Sequence, residues 1–347
     1  MKFVPFHNIP EPENCLAVDC THRKALPLSH WRGAPSPENI HDDTSAAICL
    51  NAIKANLIEG YRYVTNNHFD IDGFMGVWAL MEPELALKNE QLIRQAALIG
   101  DFRELPDLND VINDKALKIV CLINKIEKDH FYAPFEAQDQ EDKESKACVE
   151  KYEYFLPRLK AYLNNIDHYA DYWKEEYECV INGLRNINSI KYDDSIRLTI
   201  IHAKKPVHYY SLFKGTENSD MVITVYSENR FELEYKYTSW VDTNRLSYPR
   251  VDLTLLTERL NKLEENPGTW IGDKITDTGP ILRLSRETLS KAQRFDHPFN
   301  RPIHKSSIPE EQFIKIIHSY FKEAYNNIQP QKKYSWEEIK EWNKQRV

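Results

Sequence analysis

Glycine is scarce in this chain, 10 residues in 347, and neither a GxGxxG nor a GxxxxGK[ST] run occurs, so the phosphate-cradling loops of nucleotide-binding folds are absent. The six cysteines, at positions 15, 20, 49, 121, 148 and 179, form no CxxC pair, which disfavours clustered-thiolate metal sites and predicts reduced, mostly buried thiols. Eighteen consecutive apolar residues never occur, so no membrane-spanning helix is expected. Met1-Lys2-Phe3-Val4-Pro5 carries no signal-peptide run, and the default expectation is a cytoplasmic protein. Basic residues, 45 against 53 acidic, give a net charge of −8, which disfavours non-specific attraction to nucleic acid or anionic lipid.

What the chain does have is an ordinary globular balance, 41% hydrophobic and 28% charged, at a length that exceeds one usual core. The pattern predicts an α/β metal-binding domain over 1–194, a smaller α+β substrate domain over 195–297 and a short helical tail over 298–347. Cys15-Leu16-Ala17-Val18 reads as a buried strand delivering Asp19. A helix follows from Ala46 to Leu57, then a strand Tyr61–Thr65, helices from Phe74 and over Gln91–Gly100, and a strand over Leu117–Leu122. Lys125 to Lys146 looks like a charged excursion, and Cys148 to Ile187 reads as helical. Beyond it, Ile196–Ile201, His208–Phe213, Met221–Tyr226 and Phe231–Trp240 read as four strands, with a helix at Leu253–Glu264 and a closing strand at Ile281–Leu284. Two helices, Glu310–Asn326 and Trp336–Trp342, form the tail.

The segment that carries chemistry is Asn67-His68-Phe69-Asp70-Ile71-Asp72-Gly73. Alternate residues of an extended chain share a side, which would bring His68, Asp70 and Asp72 together where a strand ends and a helix begins. One imidazole with several carboxylates suits Mn²⁺, Mg²⁺ or Fe²⁺. The plainer alternative is a polar turn whose Asp72 caps the helix, but that leaves His68 and Asp70 without a task. Asp101, after Gly100, is a candidate further carboxylate, although a loop residue after a helix-ending glycine needs no such role. His30 and Asp43 stand in reserve; a histidine beside Trp31 is more often packed than ligating.

His68-Phe69-Asp70-Ile71-Asp72-Gly73 resembles the first motif of the DHH phosphoesterase superfamily, in which HxDxDG links a strand to a helix. The resemblance implies a DHH-like N-terminal domain, one or two manganese-type ions, activated water, and hydrolysis of a phosphate ester or anhydride, with Asp72 and His22 as catalytic candidates. The superfamily's Asp-His-His triplet has no full copy. Asp19-Cys20-Thr21-His22 is one partial match, in rearranged order, and would add Asp19 and His22 as ligands; Asp167-His168 is the other, on what reads as a solvated helix face. The Gly-Gly-His-type loop of the substrate domain is also missing, with only Gly268-Thr269-Trp270 and Gly272-Asp273 in its place. Lys236, Arg245, Arg250 and Arg283 are the cations that could meet a small anionic or nucleotide substrate, against the simpler reading of surface charges. Nucleic acid is permitted as a substrate but not favoured.

The HFDxDG segment, Ala86 with Gly100-Asp101-Phe102, Ser239-Trp240-Val241 and Pro249-Arg250-Val251-Asp252-Leu253 also resemble an uncharacterised bacterial family, which brings no activity with it. The leading expectation is therefore a metal-dependent hydrolase. The same ligand shell could serve C–N bond hydrolysis or oxygen chemistry, and a metal-free binding or scaffold protein is the third reading, because ligand type alone does not choose a reaction.

Overall fold

The computed structural model describes residues 1–131 and 141–346, with backbone alone for 141–143. It is a mixed α/β chain with two sheets, and it divides into two compact units, Met1–Cys179 and Val180–Val347.

In the first unit, β1 (Lys2–Phe3), β2 (Cys15–Val18), β3 (Leu26–Leu28) and β4 (Tyr63–Thr65) form a sheet of order β1-β4-β2-β3. Every pairing is parallel, with Leu16 between Val64 and Leu26. A parallel sheet is covered on its faces, which is why β2 is buried at all four positions. Helix α1 (Ser45–Lys54) starts at Thr44, whose hydroxyl accepts from the Ala47 amide. Helix α2 (Ile71–Met81) starts one turn of motif earlier than expected: Asp70, not Asp72, is its cap, accepting from Gly73 N at 2.7 Å. Ten of its eleven residues, Ile71 to Leu80, are buried, as befits a helix that is apolar nearly all round.

Helices α3 (Pro83–Lys88), α4 (Glu90–Phe102) and α5 (Val111–His130) follow. The expected strand Leu117–Leu122 is the middle of α5, a 20-residue amphipathic helix capped by Asp110. The expected excursion from Lys125 begins inside that helix, and 132–140 lie outside the described residues. Helices α6 (Glu141–Phe155), α7 (Leu159–Asn165) and α8 (Ala170–Leu184) complete the helical stretch. All six cysteines are free, five of them buried. Among the described residues, no helix is long and apolar enough to cross a membrane.

In the second unit, β5 (Ile187–Asp193), β6 (Leu198–Ala203), β7 (Met221–Tyr226), β8 (Arg230–Tyr235), β9 (Thr269–Gly272) and β10 (Ile281–Ser285) form a sheet of order β5-β6-β7-β8-β10-β9. Only β6–β7 is parallel among these pairings. The expected strand His208–Phe213 is instead α9 (Tyr209–Leu212), because the His208 ring accepts from the Tyr210 amide and starts a helical turn. Helices α10 (Thr254–Asn261), α11 (Lys291–Phe295), α12 (Glu310–Ala324) and α13 (Trp336–Lys344) close the unit. The tail does not stand apart: Phe313, Ile317, Tyr320 and Phe321 of α12 share one core with Ile223, Leu233 and Leu282 of the sheet. An amphipathic helix beside an apolar sheet face buries both.

Candidate metal centre

The carboxyl ends of β2, β3 and β4 converge, the edge at which open parallel sheets place their sites. Directly after β2 comes Asp19, held at φ 50°, a left-handed conformation that Asp tolerates better than most residues. Its amide donates to Leu28 O at 3.1 Å, which ties it to the end of β3. Two residues past β3, His30 is wholly buried. Five residues past β4, Asp70 caps α2, and Asp72 follows in the first helical turn, fully buried. The last turn of α4 brings Asp101.

These side chains face one another. His30 Nε2 lies 3.3 Å from Asp19 Oδ1, 3.6 Å from Asp101 Oδ2 and 3.8 Å from Asp72 Oδ2. His68 Nε2 lies 3.2 Å from Asp19 Oδ2 and 3.0 Å from Asp70 Oδ2. Two trios result, Asp19-His30-Asp72 and Asp19-His68-Asp70, each with ligand-type atoms within 4.8 Å of one another. Asp19 belongs to both. The His30 trio is buried throughout, whereas the His68 and Asp70 side chains keep 23% and 34% of their surface exposed.

Both imidazoles are oriented from behind. His30 Nδ1 donates to the Asp43 carbonyl at 2.7 Å, and His68 Nδ1 donates to Asn67 Oδ1 at 2.7 Å. Each bond places a proton on Nδ1 and turns Nε2 towards the carboxylates, the arrangement by which proteins aim a metal-ligating histidine. Ser45 Oγ donates to Asp19 Oδ1 at 2.6 Å and accepts from His30 N at 3.2 Å. Asp72 accepts from Ser45 N at 2.7 Å and Ala46 N at 2.8 Å, so the positive end of α1 meets its charge. Phe102 stacks on His30 with ring centres 5.8 Å apart, and Trp31 leans over His68 at 5.7 Å.

The electrostatics are those of too many carboxylates in too little water. Burial, aided by the charge of Asp19 and opposed by His30, raises Asp72 to about 7. Burial likewise holds Asp101 well above the usual carboxylate range. Burial works against a charged His30, but the hydrogen bond to Asp19 and the charges of Asp101, Asp19 and Asp72 overcome it and raise its pKa to about 10. His68 moves the same way, burial being outweighed by Asp70 and Asp19. Asp19 itself is held low: burial would raise it, but both histidines hydrogen-bond to it. Protons thus balance the charge that a cation could balance. The thiols of Cys20 and Cys49 are pushed up by burial and stay protonated.

Of the expected ligands, Asp19, His68, Asp70, Asp72 and Asp101 come together, and His30, held only in reserve, proves central. Asp43 contributes its carbonyl, which accepts from His30 Nδ1. His22 stands apart in a turn, where its Nδ1 accepts from Lys24 N and Ala25 N. Asp167 and His168 lie in a 3-10 turn, Asp167 facing solvent and 3.5 Å from Lys118.

The four expected substrate cations all fall in the second unit and serve its own structure. Buried Arg250 donates to Ser239 Oγ and to the carbonyls of Lys236, Ile275, Asp277 and Thr278. Lys236 Nζ donates to Thr216 O at 2.6 Å, Arg283 pairs with Asp273 at 3.0 Å, and Arg245 reaches Glu217 O at 3.3 Å.

Fold and cluster together define a mixed α/β protein with a carboxylate–histidine centre at the carboxyl edge of a parallel sheet. Residues 1–332 match the model of the Family of unknown function (DUF6687), and the chain belongs to that family. No curated protein and no solved structure matches it.

Proposed function

We propose that the protein is a metal-dependent hydrolase of phosphate esters or anhydrides, with a DHH-like first domain, acting on a small anionic or nucleotide substrate. The observation that carries this reading is the sharing of Asp19: one oxygen faces His30 at 3.3 Å and the other faces His68 at 3.2 Å. A carboxylate placed between two imidazole-and-carboxylate groups is the donor arrangement for a pair of divalent cations.

The donor set fits. It is all oxygen and imidazole nitrogen, which suits Mn²⁺, Mg²⁺ or Fe²⁺ over thiolate-seeking ions. Asp101 Oδ2 is buried with no hydrogen-bond donor among the described residues, a costly state for a carboxylate that a cation relieves. His30, Asp72, Asp101 and Asp19 would hold one ion, and His68, Asp70 and Asp19 the second. Such ions supply Lewis acidity, making water a nucleophile near neutral pH and neutralising charge that develops on a phosphoryl group. The chain's own part is to aim both Nε2 atoms, fix Asp72 against α1 and leave His68 and Asp70 open to solvent, where an anion can arrive.

One observation favours a metal-free scaffold instead: Ser45 N and Ala46 N already meet both oxygens of Asp72. Elemental analysis of the purified protein and of Asp70→Ala, with a bis-p-nitrophenyl phosphate assay in Mn²⁺, separates these. Metal and hydrolysis in the parent, both reduced in the variant, support the proposal. Metal without phosphodiesterase activity moves the reading to C–N bond or oxygen chemistry, and a parent that takes up no metal leaves the scaffold.

A further inference from the structure

Between the two open-side candidates, His68 and Asp70, sits a residue of opposite character. Phe69 is only 7% exposed, and the side chains that bury it come largely from α6. Phe155 stacks on it with ring centres 5.3 Å apart and 22° between planes, Tyr152 meets it edge-on at 5.3 Å, and Lys151 Nζ lies 5.6 Å from its centre. Ser145, Cys148, Lys151, Tyr152 and Phe155 make the buried stripe of α6, at the spacing of one helical face. Lys151 is anchored in turn by Glu127 of α5 at 2.6 Å, both side chains being almost wholly buried.

The ligands of the buried half are held by other means. His30 is fixed by Asp43 and Ser45, Asp72 by the amides of α1, and Asp101 by its place in α4. None of these contacts involves α6. Tyr152 and Phe155 also meet Phe74 of α2, at 6.3 and 5.8 Å, but the carboxylate of Asp72 is held by the α1 amides. The direct supports of the two halves therefore differ: the end of α1 and α4 for one, an aromatic peg gripped by α6 for the other.

We propose that α6 is the positioning element of the open half of the centre, acting through Phe69, so that ion binding at His68–Asp70 depends on the seating of α6 while binding at His30–Asp72–Asp101 does not. Phe69, Tyr152 and Phe155 are positioning residues: they touch neither ion nor substrate and act by setting where the flanking imidazole and carboxylate point. This rests on the two-ion reading above. It goes further by making the two sites separable and by placing control of the solvent-facing one in a helix outside it.

The test is a Mn²⁺ titration of the metal-stripped full chain, followed by calorimetry and by electron paramagnetic resonance, on the parent, Phe155→Leu and Phe69→Leu. Both substitutions keep an apolar side chain of similar size, so that a folded variant is obtained if either tolerates the loss of its ring. The parent is expected to bind two ions with a spin-coupled signal. Each folded variant is expected to keep the tighter ion within about twofold and to weaken the second by about tenfold or more, with loss of the coupled signal, as for removal of an outer support of a metal ligand. Two ions in parent and variant with unchanged affinities, or parallel weakening of both, overturns the inference and leaves the metal reading standing. A parent that binds no Mn²⁺ overturns the metal reading and this inference with it.

Discussion

At the scale of single residues, Asp19 shows how conformation and chemistry are chosen together. Its left-handed φ of 50° is strained for most side chains, and among the alternatives Asn suits it best. Asp19→Asn should therefore fold like the parent while removing the shared charge, and Mn²⁺ affinity is expected to fall at both sites by roughly 100-fold or more. A loss confined to one site in the titration would mean that Asp19 is not shared. Gly73 makes a different demand: a Cβ there would sit 2.1 Å from the buried Asn66 Nδ2, whose amide oxygen accepts from His68 N. Gly73→Ala should destabilise the chain by about 1–3 kcal/mol in urea unfolding, and should weaken the His68–Asp70 ion as the turn shifts. The grouping of His68, Asp70 and Asp72 was legible because a polar run between strand and helix has few structural reasons to contain so many ligating groups, whereas Asp101 was reached only as a carboxylate following a glycine near a helix end. His30 was not, since its neighbours Asp19, Asp72 and Asp101 are distant in sequence. His22 shows the converse: proximity to Asp19 along the chain hid its service to a turn.

Among elements, legibility followed how local the deciding interaction is. The ends of β2 and β4 and the start of α1 carry their signals within a few residues, as apolar runs stopping at Asp19 and Thr65 and a cap at Thr44, whereas α2 was expected three residues late because Asp70, inside the motif, is its cap. Strand β3 was missed because Pro27 at its centre removes a backbone donor and demotes such a run. Leu117–Leu122 was misread because a short apolar run looks alike in a buried strand and on the inner face of a long helix. Burial by distant segments also changes what an arginine means. Arg250 lies on the connection between β8 and α10, and its fork gathers carbonyls from the segment 275–278. An ammonium cannot reproduce that planar fork, so Arg250→Lys is expected to destabilise the protein by about 2–4 kcal/mol by unfolding. Its Mn²⁺ stoichiometry should match the parent. A variant of parental stability that lost only substrate affinity would restore Arg250 as a substrate ligand.

For the molecule as a whole, the acid–histidine cluster links stability to pH, with a sign that follows from its shifts. His30 rises from 6.5 unfolded to about 10 folded, so its contribution is complete below about pH 6.5 and is lost as pH climbs through 10. Asp72, raised from 3.8 to about 7, acts in the same direction at lower pH: its contribution is complete below 3.8 and lost through 7. Only Asp19, held low by its histidines, works oppositely, and its contribution fades in acid below 3.8. The metal-free protein should thus become less stable from about pH 6 to about pH 9 through these groups. Cations must displace the same protons, so Mn²⁺ should bind more tightly as pH rises over that interval. The melting temperatures of EDTA-treated and Mn²⁺-loaded protein are therefore expected to diverge with rising pH. A gap between them that stayed constant would show that ion binding does not draw on the protonated histidines, and that the cations, if bound, sit elsewhere than between Asp19 and its two imidazoles.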